Sequence, residues 1–445
     1  MPNPDALLYA RHVEHRREEI DDMLTELGYD GLLIHSGRPE NRLFDDQHPP
    51  FRAHGPFVAL VPQPFSADSL LELRPGERPK LWYCQPDDFW HMPPEPPGDW
   101  LTESLEVEIV RSAADWEERF RQQRALAVIG DERALGELLD GADLNPPELM
   151  WRLDEMRTRK TAWERDCIEH ANRLAVAGHL AAAEAFRAGK SELEIHLAYL
   201  AAIGEDQDTL PYGSIVALND HGAVLHYQFR SAERPKPLRS FLIDAGADWR
   251  GYAADITRTW TLDEHHEFGD LIDAVDAAQR RLVDRVRAGQ NFVDLHIEAH
   301  RAVAAVLEQA GIVRMPPEEQ VETGVSAHFL PHGLGHYIGA QVHDVAGLMD
   351  ERGQEVPPPE RYPALRLTRP LQPGNVVTIE PGLYFIPSFL EKLRAGEYAS
   401  KVDWQAVERL TPFGGIRIED NVLVSEGEPV NFTRQAFLES PIGNP

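Results

Sequence analysis

The chain has 445 residues, of which 42% are apolar and 27% charged, enough for two or three globular domains with real cores. Forty-four Lys and Arg against 74 Asp and Glu leave a net charge of −30, which argues against nucleic acid or anionic membrane as a partner, since both are polyanions. Cys84 and Cys167 cannot build a disulfide scaffold, no apolar run reaches the about 18 residues of a spanning helix, and residues 1–20 lack an apolar signal core, so a reducing, cytoplasmic compartment is expected.

The first third reads as a mixed α/β unit. A helix is expected over 5–27, stopped by Gly28, then a short strand at Leu32-Leu33-Ile34 ending at Ser36-Gly37. Strand candidates follow at 57–61 and 81–83, between Pro-rich turns at 49–50 and 93–97. Phe89-Trp90-His91 reads as core or as part of a pocket rim. The chain changes character at Asn145-Pro146-Pro147, which divides it into domains 1–155 and 156–445. The second domain opens with a helix whose buried face is Ile168, Ala171, Ala175, Ala182 and Phe186, stopped by Gly189. Ser191 and Glu194 then form a capping box. Strands are expected at 214–218 and 223–227. Helices are expected around Leu271, Val275, Ala278, Leu282 and Val286 and over 293–310, closed by Gly289 and Gly311. After a Pro-rich excursion at 356–363, late strands are expected at 376–385 and 416–424. Hairpins with helix pairs read as α+β rather than as a doubly wound sheet.

The chemistry begins in 240–260, SFLIDAGADWRGYAADITRTW. With a hairpin centre between Trp249 and Arg250, Asp244 and Asp255 face each other directly, Cβ atoms about 5 Å apart. Two carboxylates so close repel unless they share a proton or a cation. They are either turn and strand-end residues on a solvated hairpin or a metal site. The buried look of Phe241-Leu242-Ile243 favours the metal.

Residues 331–347, PHGLGHYIGAQVHDVAG, hold His332, His336 and His343 among glycines that make a helix poor. Imidazole is a common neutral metal ligand and proton shuttle, so these histidines are structural or ligating. Glu380 and Glu419 end apolar strand runs, where an isolated charge is costly. Each needs either a metal or an arginine, Arg417 or Arg366 being nearest in pattern. Asp244, Asp255, His336, Glu380 and Glu419 together carry four negative charges, which two divalent cations neutralise. Such a donor set suits Mn²⁺ or Co²⁺, and Zn²⁺ less well. Two metals can hold a hydroxide between them and polarise a carbonyl, a hydrolase design.

D-A-G-A…G-Y-A-A-D-I-T-R-T-W, H-G-L-G-H…V-H-D-V-A-G, T-I-E-P-G-L-Y-F and F-G-G-I-R-I-E-D-N resemble the pita-bread metallopeptidases. The similarity is to the bacterial Xaa-Pro dipeptidases (prolidases) and spans nearly the whole chain, from Leu32 through F-D-D at 44–46 to the last strand. It implies a C-terminal pita-bread (creatinase/aminopeptidase-like) domain behind a smaller mixed α/β domain. It implies two metal ions, usually Mn²⁺, with Asp244 on one, Asp255 and Glu419 bridging, and His336 and Glu380 on the other. The implied reaction is hydrolysis of the bond before a C-terminal proline in dipeptides, by a metal-bridging hydroxide. Glu380 would pass the water proton, and His226 and His343 would stabilise the oxyanion or hold the substrate. Arg366, His332, Arg417 and Tyr212 would bind substrate. Arg366 is favoured for the free carboxylate, while Arg417 either shares that task or orients the metal carboxylates. Tyr337 after His336 departs from some relatives. In family dimers the segment at Asp45, Asp46 and His48 reaches toward the partner's site, so a homodimer is expected. Some related prolidases also cleave organophosphate triesters. The alternatives are an aminopeptidase P acting on longer Xaa-Pro peptides, a metal-free binding protein of the same fold, and creatinase-like hydrolysis without metal.

Overall fold

The computed structural model describes residues 4–90, 92–120, 125–135, 141–262 and 265–440. It divides into two compact units, Met1–Cys167 and Ile168–Pro445.

The first unit opens on the helix Pro4–Leu27, closed by Gly28 at φ 77. Its buried stripe is Ala6, Tyr9, Val13, Ile20 and Leu24, at helical spacing. A six-stranded sheet follows in the order Glu106–Val110, Lys80–Cys84, Leu70–Leu73, Gly31–His35, Leu126–Ile129, Asp143–Leu144. Leu70–Leu73 is antiparallel to both neighbours, and the flanking pairs are parallel. The central strands are buried along their whole length, as unbroken apolar runs require. The expected strand at 57–61 is instead the helix Gly55–Val58 and its exit turn. Pro56 in the first helical turn presets the backbone, and the apolar run records burial rather than β structure. Phe89 and Trp90 touch at tilted rings, centroids 4.5 Å apart, and are 85% and 77% exposed, so they are not core; His91 lies outside the described residues. Cys84 and Cys167 are free and buried.

The second unit is α+β. In the helix Ala162–Arg187, Ile168, Ala171, Ala175, Ala182 and Phe186 are buried together. Ser191 caps Glu192–Ile203 with both halves of the capping box made. Helices His266–Val283 and Phe292–Gln309 pack their apolar faces into the largest core. Antiparallel sheets join Ile215–Leu218, Ser240–Asp244 and Thr257–Thr261, and, separately, Val376–Ile379, Asp420–Leu423 and Val430–Asn431. The expected strand at 223–227 is a loop behind the 3-10 turn Asn219–Ala223, where Asn219 takes φ 56. Each late strand run breaks in two. Val376–Ile379 and Gly382–Tyr384 part at Glu380, and Gly415–Arg417 and Asp420–Leu423 part at Glu419. Among the described residues no helix is long and apolar enough to cross a membrane.

Candidate metal centre

Every candidate residue except Tyr212 lines one cavity of about 260 Å³ in the second unit. Asp244, Asp255, His336, Glu380 and Glu419 share its wall with His226, His332, His343, Arg366 and Arg417. The hairpin register differs from expectation. Asp244 pairs with Thr257, not Asp255, and the turn centres on Arg250-Gly251. These two residues take φ 55 and 86, the two positive values a tight twisted hairpin turn requires. Asp255 therefore sits diagonally from Asp244. Between them the strands close so tightly at Gly246 that a Cβ would lie 1.9 Å from the Ala254 carbonyl. Tyr212 bridges the two acids, its hydroxyl 2.8 Å from Asp244 Oδ1 and 2.6 Å from Asp255 Oδ1.

His336 enters from the Gly-rich loop. Its Nδ1 lies 2.9 Å from the Tyr337 carbonyl and so carries the proton. That leaves the Nε2 lone pair facing Asp255 Oδ2 at 3.5 Å and Glu380 Oε1 at 3.9 Å. Donor atoms of Asp255, His336 and Glu419 all lie within 4.8 Å of one another. Gly335 is required beside it, since a Cβ there would lie 2.0 Å from the Thr378 carbonyl. Thr257 donates to Glu419 Oε2 at 2.6 Å.

The electrostatics are those of four crowded acids with too little counter-charge, Arg417 being ion-paired, among the described residues, with Asp244 alone. Burial, then the charges of Asp255, Glu380 and Asp244, hold the Glu419 carboxyl well above its ordinary range. Burial pushes Glu380 up to about 7, against the pull of His336 and Arg417. Asp244 is raised by burial, which Arg417 partly offsets. Burial also works on Asp255, but its contacts with His336 and Tyr212 hold it below the usual value. Protons thus take the place of positive charge. Four convergent carboxylates and one correctly tautomerised imidazole fit divalent cations.

Sequence reasoning named Arg417 and His332 but missed Thr257, Tyr384, Asn421 and Arg258, which stand with them behind this set. Arg417 ion-pairs with Asp244 Oδ2 at 2.7 Å, donates to the Tyr384 hydroxyl at 2.7 Å and to Thr257 Oγ1 at 3.1 Å. Tyr384 in turn lies 3.0 Å from His332 Nε2, whose Nδ1 donates to the Gly333 carbonyl at 2.8 Å. Both ring nitrogens of His332 are therefore engaged. Asn421 clasps the backbone of Asp255 at both N–H and C=O. Arg258 holds the Glu419 carbonyl and the buried Asp420. Part of the signal was available, because Asp420-Asn421 is a polar pair directly before the apolar run Val422-Leu423-Val424. Arg366 has no hydrogen-bond or ion-pair partner among the described residues, and its charge helps burial and His336 push His343 down to about 4.

Such a cavity on an α+β fold is what a metallohydrolase requires, and comparison with known proteins identifies the class. Residues 166–426 match metallopeptidase family M24, and residues 7–154 match the Xaa-Pro dipeptidase N-terminal domain. The chain belongs to metallopeptidase family M24, the pita-bread metallopeptidases, and is a hydrolase. It is 46% identical over 436 residues to a Xaa-Pro dipeptidase of Xanthomonas campestris pv. campestris, covering 97% of this chain and 98% of that one. It is 42% identical to a Xaa-Pro dipeptidase of Stenotrophomonas maltophilia, covering 97% of each. Two solved structures share the fold: E. coli aminopeptidase P with the inhibitor Pro-Leu, and proline aminopeptidase P II of Yersinia pestis. Their TM-scores are 0.74 and 0.72, both at 22% identity; the first match covers 96% of this chain and 95% of that one, the second 97% and 98%.

Proposed function

We propose that the chain hydrolyses Xaa-Pro dipeptides at the bond before the C-terminal proline, using two divalent cations, Mn²⁺ first among them. Asp244 would hold one, Asp255 and Glu419 both, and His336 and Glu380 the second. When bound, the cations supply Lewis acidity to a carbonyl and bring the pKa of water toward neutrality. The observation that carries the reading is the unpaired Arg366 in the same small cavity as Asp244, Asp255, His336, Glu380 and Glu419, of which Asp255, His336 and Glu419 have donor atoms within 4.8 Å of one another. A guanidinium fork matches a free carboxylate, and Arg417 is already committed to Asp244. Glu380, on the cavity wall beside His336, would take the proton of the attacking water and deliver it to the leaving proline nitrogen. His343, held neutral by burial, and His226 are suited to donate to the developing oxyanion. His332, with both nitrogens engaged, would orient Tyr384 and Arg417 rather than touch substrate. The same reading includes a homodimer of twice 50.2 kDa, with Asp45 and Asp46 near the partner's site.

The relatives at 42–46% identity are named dipeptidases, which favours this over aminopeptidase P activity. Chelator-stripped protein is expected to cleave neither Ala-Pro nor Ala-Pro-Ala, and after Mn²⁺ addition to cleave Ala-Pro only. Equal cleavage of the tripeptide moves the chain to the aminopeptidase side. Failure to bind metal ends the five-ligand reading. Arg366→Ala is expected to raise KM for Ala-Pro about tenfold to a hundredfold with little change in kcat.

A further inference from the structure

Glu192 is the first residue of the helix Glu192–Ile203 and is buried, with 1% of its surface exposed. Its carboxylate accepts four hydrogen bonds. Oε1 takes the Leu218 N–H at 2.9 Å and His221 Nδ1 at 2.7 Å; Oε2 takes the Tyr227 hydroxyl at 2.8 Å and the Ser231 N–H at 2.7 Å. Among the described residues no lysine or arginine pairs with it. The helix N-terminus and four charge-assisted bonds stabilise the charge instead. The next N–H of the helix, Leu193, also donates to the Ser231 carbonyl, at 3.1 Å.

These donors belong to one loop. Leu218 ends the strand Ile215–Leu218, Ser231 closes the loop, and His221 and Tyr227 stand between, their rings stacked at 4.5 Å. Tyr227 packs with Ile215, Ala217 and Leu242, whereas Val224 is 51% and Phe229 86% exposed, so the apolar anchorage of the loop hangs on the same ring whose hydroxyl meets Glu192. What it gives the cavity is Leu225 and His226. A single buried carboxylate thus closes the loop at both ends and next to His226.

We propose that Glu192 is a positioning residue for His226, and that its carboxylate fixes the wall of the cavity that His226 forms. The loop arm of the proposal stands on the hydrogen bonds alone; the kinetic arm rests on the dipeptidase reading. Glu192→Gln keeps the size but sets an amide N–H₂ against the N–H of Leu218 or of Ser231, and neither can reverse. In the full-length protein, amide hydrogen exchange is expected to quicken across 219–231 in Glu192→Gln, and more weakly in Tyr227→Phe, which removes one donor and keeps the ring. With Ala-Pro as substrate, Glu192→Gln is expected to lower kcat/KM about tenfold to a hundredfold in the natural background, with Mn²⁺ content unchanged. In a His226→Ala background the same change is expected to cost less than about twofold, because the two residues act as one unit. Equal losses in both backgrounds overturn the proposal, as does unchanged exchange across 219–231 in both variants. Should the unaltered protein fail to cleave Ala-Pro, the dipeptidase reading falls while exchange still decides the role of Glu192.

Discussion

Tyr212 shows how far the centre depends on a group outside the cavity wall. Its hydroxyl lies between Asp244 and Asp255, and burial, with the neighbouring carboxylates, raises its pKa well above the ordinary value, so it stays a donor. Removing such an outer partner costs about tenfold to a hundredfold in metal affinity. Tyr212→Phe is therefore expected to shift the Mn²⁺ activation curve by that factor while leaving KM for Ala-Pro at saturating Mn²⁺ unchanged; a raised KM would return Tyr212 to substrate binding. Glu380 sets a pH dependence. Its carboxyl moves from an ordinary 4.5 to about 7 in the metal-free fold. Between those values the folded chain keeps a proton that the unfolded chain has released, so stability falls as pH rises through the window. His336, raised by Asp255 and Glu380 against its burial, has the same sign. Asp255, held low, is already ionised there and adds no slope. Buried histidines such as His343, held low, slope the other way, so the contribution of Glu380 is read by difference: between about pH 5 and pH 7 the melting temperature of chelated protein is expected to fall relative to that of Glu380→Gln, and Mn²⁺ binding near pH 6 to release protons, read as a buffer-dependent heat. Parallel melting profiles for the two proteins would mean that Glu380 is not proton-loaded.

At the scale of elements, the two histidine loops are placed by glycines against backbone. A Cβ at Gly335 would meet the Thr378 carbonyl at 2.0 Å, next to His336; one at Gly347 would meet the Arg366 carbonyl at 2.3 Å. Overpacking of this kind costs about 1–3 kcal/mol and moves the neighbour. The two substitutions should separate. Gly335→Ala is expected to weaken Mn²⁺ binding, while Gly347→Ala is expected to raise KM for Ala-Pro with Mn²⁺ affinity retained. Identical effects would show that the loops move as one. These elements also mark what was legible in the residues. The capping box at Ser191, the glycine stops and the carboxylates ending apolar runs were readable, because each is a local rule. The hairpin register was not, because Asp248 and Gly251 both signal a turn and only the backbone shows Arg250-Gly251 taking the positive φ values. The loop at 223–227 looked like a strand because its apolar letters do not reveal that Tyr227 donates its hydroxyl to Glu192, 35 residues upstream.

Across the whole molecule, the five proposed metal ligands come from distant stretches of the second unit: Asp244 and Asp255, then His336, then Glu380 and Glu419. Their motifs could be listed from the chain, but their convergence is a property of the fold, as are Asn421 reaching back to Asp255 and Arg417 to Asp244. A cation shared by these side chains ties segments more than a hundred residues apart. Ligand bound only by the folded state stabilises by RT ln(1 + [L]/Kd), about 2.7 kcal/mol per site at a hundredfold excess over Kd. That stabilisation should appear where the ligands are. Removing Mn²⁺ is expected to quicken amide exchange in Ser240–Asp244, Val376–Ile379 and Gly415–Arg417, and to leave Gly31–His35 and Leu126–Ile129 unchanged, since the first unit supplies none of the five donors. Exchange that does not respond to metal in the second unit would mean that the acids are organised by their protons and arginines alone, and that the cation contributes chemistry without holding the fold.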